Sequence, residues 1–378
     1  MTGAAQQTRL VKTEQACGEL RAIARAALRS GLVVGALVPR RTSTTVIPAL
    51  VKDPDRIGDD AYFGAPITPQ NAASLLSDVT FRPPKGRVLA VLRSCEHRAL
   101  IELAKLKQVD LDSILVIGID CLGAAGPGPA PPHLLDETAW RARMAEGGAE
   151  AWEGVRRACG ICALPAATTA AFTVGLIDVS PESGVLLSVP DDEDGSRLLA
   201  AVAAEEGASV SEPGGEVAAH AAAVAAVAEE RGQAKARAIA AWRDDTGNFA
   251  ALSEALAACT QCLNCRRACP ICYCRECVFE TALFESTGDR YLSRAARKGA
   301  VRLPAEVMLY QLTRLAHMGL SCVNCGMCEA YCPAGIELTM LFAVMGQEAR
   351  ALFAYEPGRD AGEALPLTVY REDELDPR

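Results

Sequence analysis

The stretch that decides the fold of the first part of the chain is GRVLAVLRSCEHRALIELAKLKQVDLDSILVIGIDC, residues 86–121. Two continuous apolar runs, at 87–93 and 113–119, have the composition of buried strands, and residues 96–108 between them have the apolar periodicity of a helix. Continuous apolar strands joined by a helix are typical of a parallel sheet that is covered on both faces. We therefore predict an α/β domain with a parallel sheet.

Further elements are predicted on both sides of this unit. Helices are predicted at 14–30, 136–158, 216–243, 305–318 and 336–353, and strands at 32–38, 171–179 and 184–189. The DDTGN segment at 244–248 breaks the alanine-rich helix, so we place a domain boundary near residue 245. The predicted units are an α/β domain (1–165), an α+β extension with the alanine-rich helix (166–245), a mainly helical, ferredoxin-like domain (246–352) and a polar tail (353–378). The tail is expected to be disordered or to lie on a partner.

Composition points to metal rather than to disulfides. The chain has 378 residues and 16 cysteines, eleven of which lie between Cys259 and Cys332. Its first residues are polar and lack the apolar stretch of a secretory signal, so we expect a location in the reducing cytoplasm. No apolar run has the length and character of a membrane span. The net charge of −9 argues against a nucleic-acid surface.

The pattern C-x2-C-x2-C-x3-C-P occurs twice. The first run is Cys259, Cys262, Cys265, Cys269 and Pro270, and the second run is Cys322, Cys325, Cys328, Cys332 and Pro333. Corresponding cysteines are 63 residues apart, so the two runs form an internal repeat. Three thiolates at this spacing wrap one face of a 4Fe-4S cluster, and in two-cluster ferredoxins the fourth thiolate ligates the other cluster.

We therefore assign these eight cysteines to two 4Fe-4S clusters. The first-run set is Cys259, Cys262, Cys265 and Cys332, and the second-run set is Cys322, Cys325, Cys328 and Cys269. Structural zinc sites are the alternative, because zinc also takes four thiolates. Zinc sites normally pair two C-x2-C units, whereas three cysteines followed by C-P favour iron and sulfur. The helix predicted at 305–318 between the runs indicates a helical dicluster module that passes electrons singly.

Three more cysteines, Cys272, Cys274 and Cys277, follow the first run in the segment CPICYCREC. Their crowding leaves two roles open. In one role they help to hold an additional cluster or metal. In the other role they are buried, inert thiols, which is a common state of cysteine.

A third set of cysteines is suggested by topology. Cys95 and Cys121 each follow a predicted strand, and parallel strands place both residues at the carboxyl edge of the sheet, where open α/β sheets bind cofactors. Cys159 and Cys162, in the segment CGIC, supply two more thiols, and the helix N-terminus at Cys95 favours a thiolate. We expect a third cluster on this third set. The alternative is a lone redox or packing thiol at Cys95 and a dithiol in CGIC.

The remaining candidate residues favour ordinary roles. Cys17 and the four histidines, His97, His133, His220 and His317, have no partners in sequence that suggest a ligand set. No P-loop and no G-x-G-x-x-G motif is present, so the motifs give no direct evidence of nucleotide binding.

Several segments carry a family resemblance. LRSGLVVGALVPRR, VLAVLRSCEHRALIELAKLKQ with IGIDC after it, and CPICYCREC resemble the β subunits of deazaflavin (coenzyme F-420) hydrogenases and formate dehydrogenases. Electron-transfer subunits of anaerobic sulfite reductase carry a similar R-x-C-[DE] segment and a similar C-P-x-C-x-C run. Two departures stand out: the two clusters lie C-terminally rather than in an N-terminal ferredoxin motif, and Cys17-Gly18 stands where relatives often carry Ser-Gly-Gly.

The resemblance implies an iron-sulfur flavoprotein. In such a protein an FAD in the α/β domain exchanges a hydride with the deazaflavin coenzyme and feeds electrons singly into the clusters. The resemblance also implies a catalytic partner, a formate dehydrogenase or hydrogenase subunit. Two other hypotheses are a flavin-free electron wire that docks onto a heterodisulfide-reductase-like complex, and a cysteine-based redox sensor. Bound FAD separates the first hypothesis from the second, and reversible disulfides with little iron indicate the third.

Overall fold

The computed structural model describes residues 6–15, 17–150, 152–284, 287–299 and 306–370. The strands in these ranges are β1 (Gln6–Thr13), β2 (Gly35–Arg41), β3 (Val46–Val51), β4 (Val88–Arg93), β5 (Ile114–Ile119), β6 (Phe172–Gly175), β7 (Val185–Pro190) and β8 (Ala208–Ser211). The helices are α1 (Glu19–Arg29), α2 (Ala72–Phe81), α3 (Ser94–Lys105), α4 (Pro132–Leu135), α5 (Glu137–Glu146), α6 (Arg157–Gly160), α7 (Glu193–Ala203), α8 (Glu216–Thr246), α9 (Phe249–Ala255), α10 (Asn264–Ala268), α11 (Gly288–Lys298), α12 (Glu306–Met318), α13 (Met327–Ala330) and α14 (Leu338–Phe353).

The strands form one mixed sheet with the order β3-β2-β4-β5-β6-β7-β1-β8. Its centre is parallel: β4 pairs with β2 and β5, and β5 pairs with β6. The outer pairs, β2 with β3, β6 with β7, and β1 with β7 and β8, are antiparallel. The predicted α/β fold with a parallel sheet, followed by a mainly helical region, is confirmed.

The sheet is covered on both faces, as its apolar central strands require. On one face, Leu89 of β4 packs in a core that includes residues of α1 and α7. On the other face, Leu92 of β4 packs in a core with residues of α2 and α3. Met318 of α12 and Phe342 of α14 belong to this second core, so the C-terminal helices are packed onto the sheet domain.

Several elements differ from the sequence predictions. The helix predicted at 136–158 ends at Glu146, because Gly147 has a φ of +69°, a left-handed conformation that closes a helix. The strand predicted at 32–38 starts three residues later, at Gly35. Strands β1, β3 and β8 were not predicted, and β1 lies beside β7 at a distance of some 180 residues in sequence. Local patterns do not indicate such long-range pairing.

Part of the predicted polar tail packs on helix α3. The hydroxyl of Tyr355 donates to Oε1 of Glu102 (2.6 Å), and the backbone N–H of Gly358 donates to the same oxygen (2.8 Å). Nε of Arg98 donates to the backbone oxygen of Pro357 (2.9 Å). Residues 371–378 of the tail lie outside the described residues. Among the helices described above, none combines the length and the apolar character that crossing a bilayer requires.

A buried carboxylate connects the long helix α8 to the sheet. Nε2 of His220 lies 2.7 Å from Oδ2 of Asp120, which follows β5 and also accepts the backbone N–H groups of Leu176 and Ile177 (2.7 and 3.0 Å). Burial lowers the pKa of His220, but the hydrogen bond and the charge of Asp120 outweigh burial and raise this pKa above its ordinary value. The protonated ring therefore stabilises the fold.

We expect His220→Ala to lower the free energy of unfolding by about 2 kcal/mol at pH 6, because a hydrogen bond to a charged group is lost. The folded-state pKa of His220 is raised, so the charged contribution is complete below about pH 6.5 and is lost as the pH rises through the folded-state value. Urea unfolding of the wild type and the variant between pH 6 and pH 9 measures this. His317→Ala, at an exposed position, is the control. A destabilisation that grows with pH would contradict the prediction.

Candidate metal centres

Two cavities in the helical region are each lined by four cysteines. The first-run cavity is lined by Cys259, Cys262, Cys265 and Cys332. The second-run cavity is lined by Cys269, Cys322, Cys325 and Cys328. In each cavity three thiols come from one run and the fourth comes from the other run. The structure thus groups these cysteines in the two sets assigned from spacing, while their ligation of clusters stays a prediction.

The two runs share one unusual backbone conformation. Gln261 and Leu263 in the first run have φ values of 55° and 62°, and the residues 63 positions later, Asn324 and Gly326, have values of 54° and 72°. Left-handed backbone costs free energy for residues other than glycine, and it occurs where surrounding contacts or function require it. Both loops therefore adopt the same wrapped shape, as an internal repeat predicts. No sequence signal marks Gln261 or Leu263 for this conformation.

Backbone N–H groups of both loops act on the cysteine thiols. Burial raises the pKa of Cys259 and Cys322, and the backbone N–H groups of Gln261 and Asn324 lower it. Sγ of Cys322 also donates to Oδ1 of Asn324 (3.3 Å). Hydrogen bonding at sulfur is one of the factors that set the potential of an iron-sulfur cluster.

The donor set and the charges around it fit a negatively charged cluster. In the described ranges no group of three or more His, Cys, Asp or Glu side chains is arranged to hold a single metal ion. Arg314 lines the second-run cavity, and its buried Nε has no hydrogen-bond partner. An uncompensated buried guanidinium is costly unless an anion lies close to it. Four thiolates that hold a cluster would provide that anion.

Helix α12 supplies polar groups that sequence reasoning missed. Tyr310 and Gln311 line the first-run cavity, and the hydroxyl of Tyr310 lies 3.3 Å from Sγ of Cys265. Arg314, one turn later, lines the other cavity. The sequence did contain a signal for these groups. Polar or amphipathic side chains at 310, 311 and 314 interrupt the apolar pattern of a helix that lies between two cysteine runs.

The third set is assembled at the carboxyl edge of the sheet. Cys95 opens α3 after β4, and Cys121 follows β5, which is parallel to β4. The thiol of Cys121 interacts electrostatically with those of Cys159 and Cys162, and the thiol of Cys95 interacts with that of Cys121. Burial raises the pKa of Cys121 to about 11. The structure places Cys95 and Cys121 at one edge of the sheet and Cys159 beside Cys121, and the ligand role of the set stays a prediction.

One glycine allows the third set to come together. Gly123 has a φ of +136°, and a Cβ at this position would lie 3.3 Å from Cβ of Cys159. The N–H of Gly123 donates to Sγ of Cys121 (3.3 Å), and the N–H of Ala124 donates to Sγ of Cys159 (3.4 Å). This short turn after β5 therefore holds two thiols of the set at once.

The other cysteines and the histidines lie outside the three sets. Cys274 is exposed, and Cys272 and Cys277 are half-buried; they follow the first run but line neither of the two cavities. Sγ of Cys17 lies 3.7 Å from the backbone oxygen of Glu137. His97 is buried, with Nδ1 3.1 Å from the hydroxyl of Thr169, and burial lowers its pKa to about 4.

The second run is packed tightly against the third set. A Cβ at Gly326 would lie 2.5 Å from Cβ of Ala158, the residue before Cys159. Arg157 makes ion pairs with Glu329 (2.9 Å) and with Glu337. Close backbone approach at Gly326 therefore sets the distance between the two groups of thiols.

Gly326→Ala tests this packing. We expect a loss of about 1–3 kcal/mol of unfolding free energy from the clash, in addition to the cost of a left-handed alanine. Gly335→Ala is the matched control, since its φ is +64° and no atom lies within 4 Å of the added Cβ. Anaerobic urea unfolding and iron content of both variants measure the difference. Equal destabilisation by the two substitutions would show that the contact with Ala158 is unimportant.

Comparisons with known proteins agree with part of these results. No protein-family model matches the chain. Over 102 residues, 27% of its length, the chain is 35% identical to the F420-dependent formate dehydrogenase subunit beta of Methanocaldococcus jannaschii. Over 108 residues, 29% of its length, it is 29% identical to the F420-dependent formate dehydrogenase 1 subunit beta of Methanococcus maripaludis. The matched segment is 24% of each relative, so the chain spans about a quarter of their length.

A structural comparison gives a weaker likeness. A chain of the F420-reducing NiFe hydrogenase complex from Methanosarcina barkeri covers 65% of this chain and 94% of its own length, with 13% identity and a TM-score of 0.44. The sequence comparisons are the stronger finding. The predicted resemblance to the β subunits of F420-dependent formate dehydrogenases is confirmed over a little more than a quarter of this chain.

Proposed function

We propose that the chain is an iron-sulfur electron-transfer subunit of an oxidoreductase complex. The observation that carries the proposal is the exchange of the fourth cysteine between runs: Cys332 lines the first-run cavity, and Cys269 lines the second-run cavity. This exchange is the ligand pattern of two-cluster ferredoxins. The first-run set and the second-run set would each hold one 4Fe-4S cluster. Bound clusters supply one-electron oxidation and reduction, and the protein positions them and sets their potentials.

The third set extends the proposal into the sheet domain. Cys95, Cys121, Cys159 and Cys162 would hold a third 4Fe-4S cluster. Gly326, between Cys325 and Cys328, packs against Ala158, the residue before Cys159, and this contact supports a third set that adjoins the second-run set. The proposed order of electron transfer is third set, second-run set, first-run set.

Partners and further cofactors follow from the relatives. Their names, F420-dependent formate dehydrogenase subunits beta, support a deazaflavin coenzyme as the two-electron donor or acceptor and a formate dehydrogenase catalytic subunit as the partner. The family resemblance described above also implies a hydrogenase subunit as an alternative catalytic partner. An FAD bound to the sheet domain would connect two-electron hydride chemistry with one-electron transfer. FAD in the purified chain, and its reduction by the deazaflavin coenzyme, test this part; clusters without FAD would leave a flavin-free electron wire.

Single cysteine variants test the two crossed clusters. We expect Cys265→Ala to remove one cluster, about four irons, because a buried ligand is lost. Cys332→Ala should abolish the same electron paramagnetic resonance (EPR) signal as Cys265→Ala, and Cys269→Ala the same signal as Cys322→Ala. Cys274→Ala, at an exposed position outside both cavities, is the control. If Cys269→Ala abolished the signal that depends on Cys265, the exchange of the fourth ligand would be wrong.

Cys121→Ala tests the third cluster. The variant should lose about four irons and keep the signals of the two crossed clusters, because Cys121 lies in the sheet domain. Cys17→Ala is the control in the same domain. Full retention of iron in anaerobically prepared Cys121→Ala would rule out a third cluster on these residues.

A further inference from the structure

Two buried arginines lie between neighbouring thiol sets. Arg314 lines the second-run cavity, and its Nη2 donates to the backbone oxygen of Cys265 in the first-run set (3.2 Å). Nη1 donates to Oε1 of Gln311 (3.0 Å), and the guanidinium lies 5.1 Å from the ring centre of Phe342. Arg314 therefore bridges the first-run and second-run sets.

Arg156 holds the equivalent place between the second-run set and the third set. Its Nη1 lies 2.6 Å from Sδ of Met327, which stands between Cys325 and Cys328 in the chain. Nε donates to the backbone oxygen of Ala124 (3.0 Å), the residue whose N–H donates to Cys159 in the third set. Nη2 donates to the hydroxyl of Thr68 (2.9 Å). Its charge acts on thiols of both sets.

In the part of the chain that the structure describes, neither guanidinium is neutralised by a carboxylate: no ion pair involves Arg156 or Arg314, although both side chains are buried. The nearby Arg157 and Arg266, by contrast, pair with Glu329 and Glu280 (2.9 and 2.8 Å). Neutral oxygens accept hydrogen bonds from both arginines, and an anion next to each of them would offset the remaining cost of its buried charge. The thiol sets are the candidates that contact them.

We infer that Arg156 and Arg314 are potential-setting residues, one at each junction of the series, which stabilise the reduced state of the clusters on either side. The inference rests on the proposed function. A reduced cluster carries one more negative charge than an oxidised cluster, so a fixed positive charge nearby favours reduction. Two arginines placed at the junctions act on the donor and the acceptor of each transfer together. The second-run set adjoins both of them.

Anaerobic redox titrations of Arg156→Gln and Arg314→Gln, followed by EPR, test this inference. Arg314→Gln should lower the reduction equilibrium constant of the first-run and second-run clusters at least tenfold, or about 59 mV for one electron, and leave the third cluster unchanged. Arg156→Gln should lower the reduction equilibrium constant of the second-run and third clusters and leave that of the first-run cluster unchanged. Each variant is thus the control of the other. The expected effect of Arg156→Gln on the second-run cluster does not require a third cluster.

Further variants separate charge from folding. Arg156→Lys and Arg314→Lys keep the positive charge and should keep the potentials within threefold of the wild type. Arg21→Gln removes a buried guanidinium that pairs with Glu137 (2.9 Å) and should change no potential. Unchanged potentials in folded, iron-loaded glutamine variants would overturn the inference. The inference would also be overturned by glutamine variants that fold without iron, or by glutamine variants that fail to fold while the lysine variants fold normally. Either result would show that the positive charge serves folding or cluster assembly instead of setting the potential. Absence of iron from the wild type would instead refute the proposed function.

Discussion

The crossing of the two cysteine runs is the constraint on which the C-terminal half of the structure depends. Each cavity is lined by cysteines of both runs, so the intervening chain must leave the first run and return to it. Helix α12 makes that return and places Tyr310 and Arg314 against the thiols. Wrapping three thiols around one space puts residues of both loops in left-handed backbone conformations, which cost free energy. These conformations persist because packing on both sides of each loop fixes them.

The same constraint explains why the helical region is packed so closely on the sheet domain. The proposed electron transfer requires centres that are near each other, and here the junction between the two regions is made of direct contacts. Arg98 and Glu102 of α3 bond to the segment after α14, and Arg156 contacts Met327 beside the second run. The carboxyl edge of the parallel strands thus faces the second-run set. A sheet edge that commonly binds cofactors in α/β proteins adjoins a helical module that is suited to carrying electrons.

The sequence predicted the parts of this arrangement that depend on local pattern. The apolar runs and the helix between them gave the central parallel strands, and the repeated cysteine spacing gave the two crossed sets. The sequence did not predict β1, whose partner β7 is far away in the chain. It also did not predict the end of α5 at Gly147, where the glycine adopts a left-handed backbone conformation. The buried arginines were also missed. An arginine in sequence looks solvent-exposed, and only tertiary packing shows that Arg156 and Arg314 lie among thiols.

The proposed function requires that the crossed thiol sets hold iron-sulfur clusters rather than zinc or free thiols. Iron, acid-labile sulfide and zinc should be measured in parallel on the anaerobically purified chain. We expect at least about eight irons and eight sulfides per chain, with little zinc. A colourless protein with stoichiometric zinc, or with no metal, would refute cluster binding at these sets.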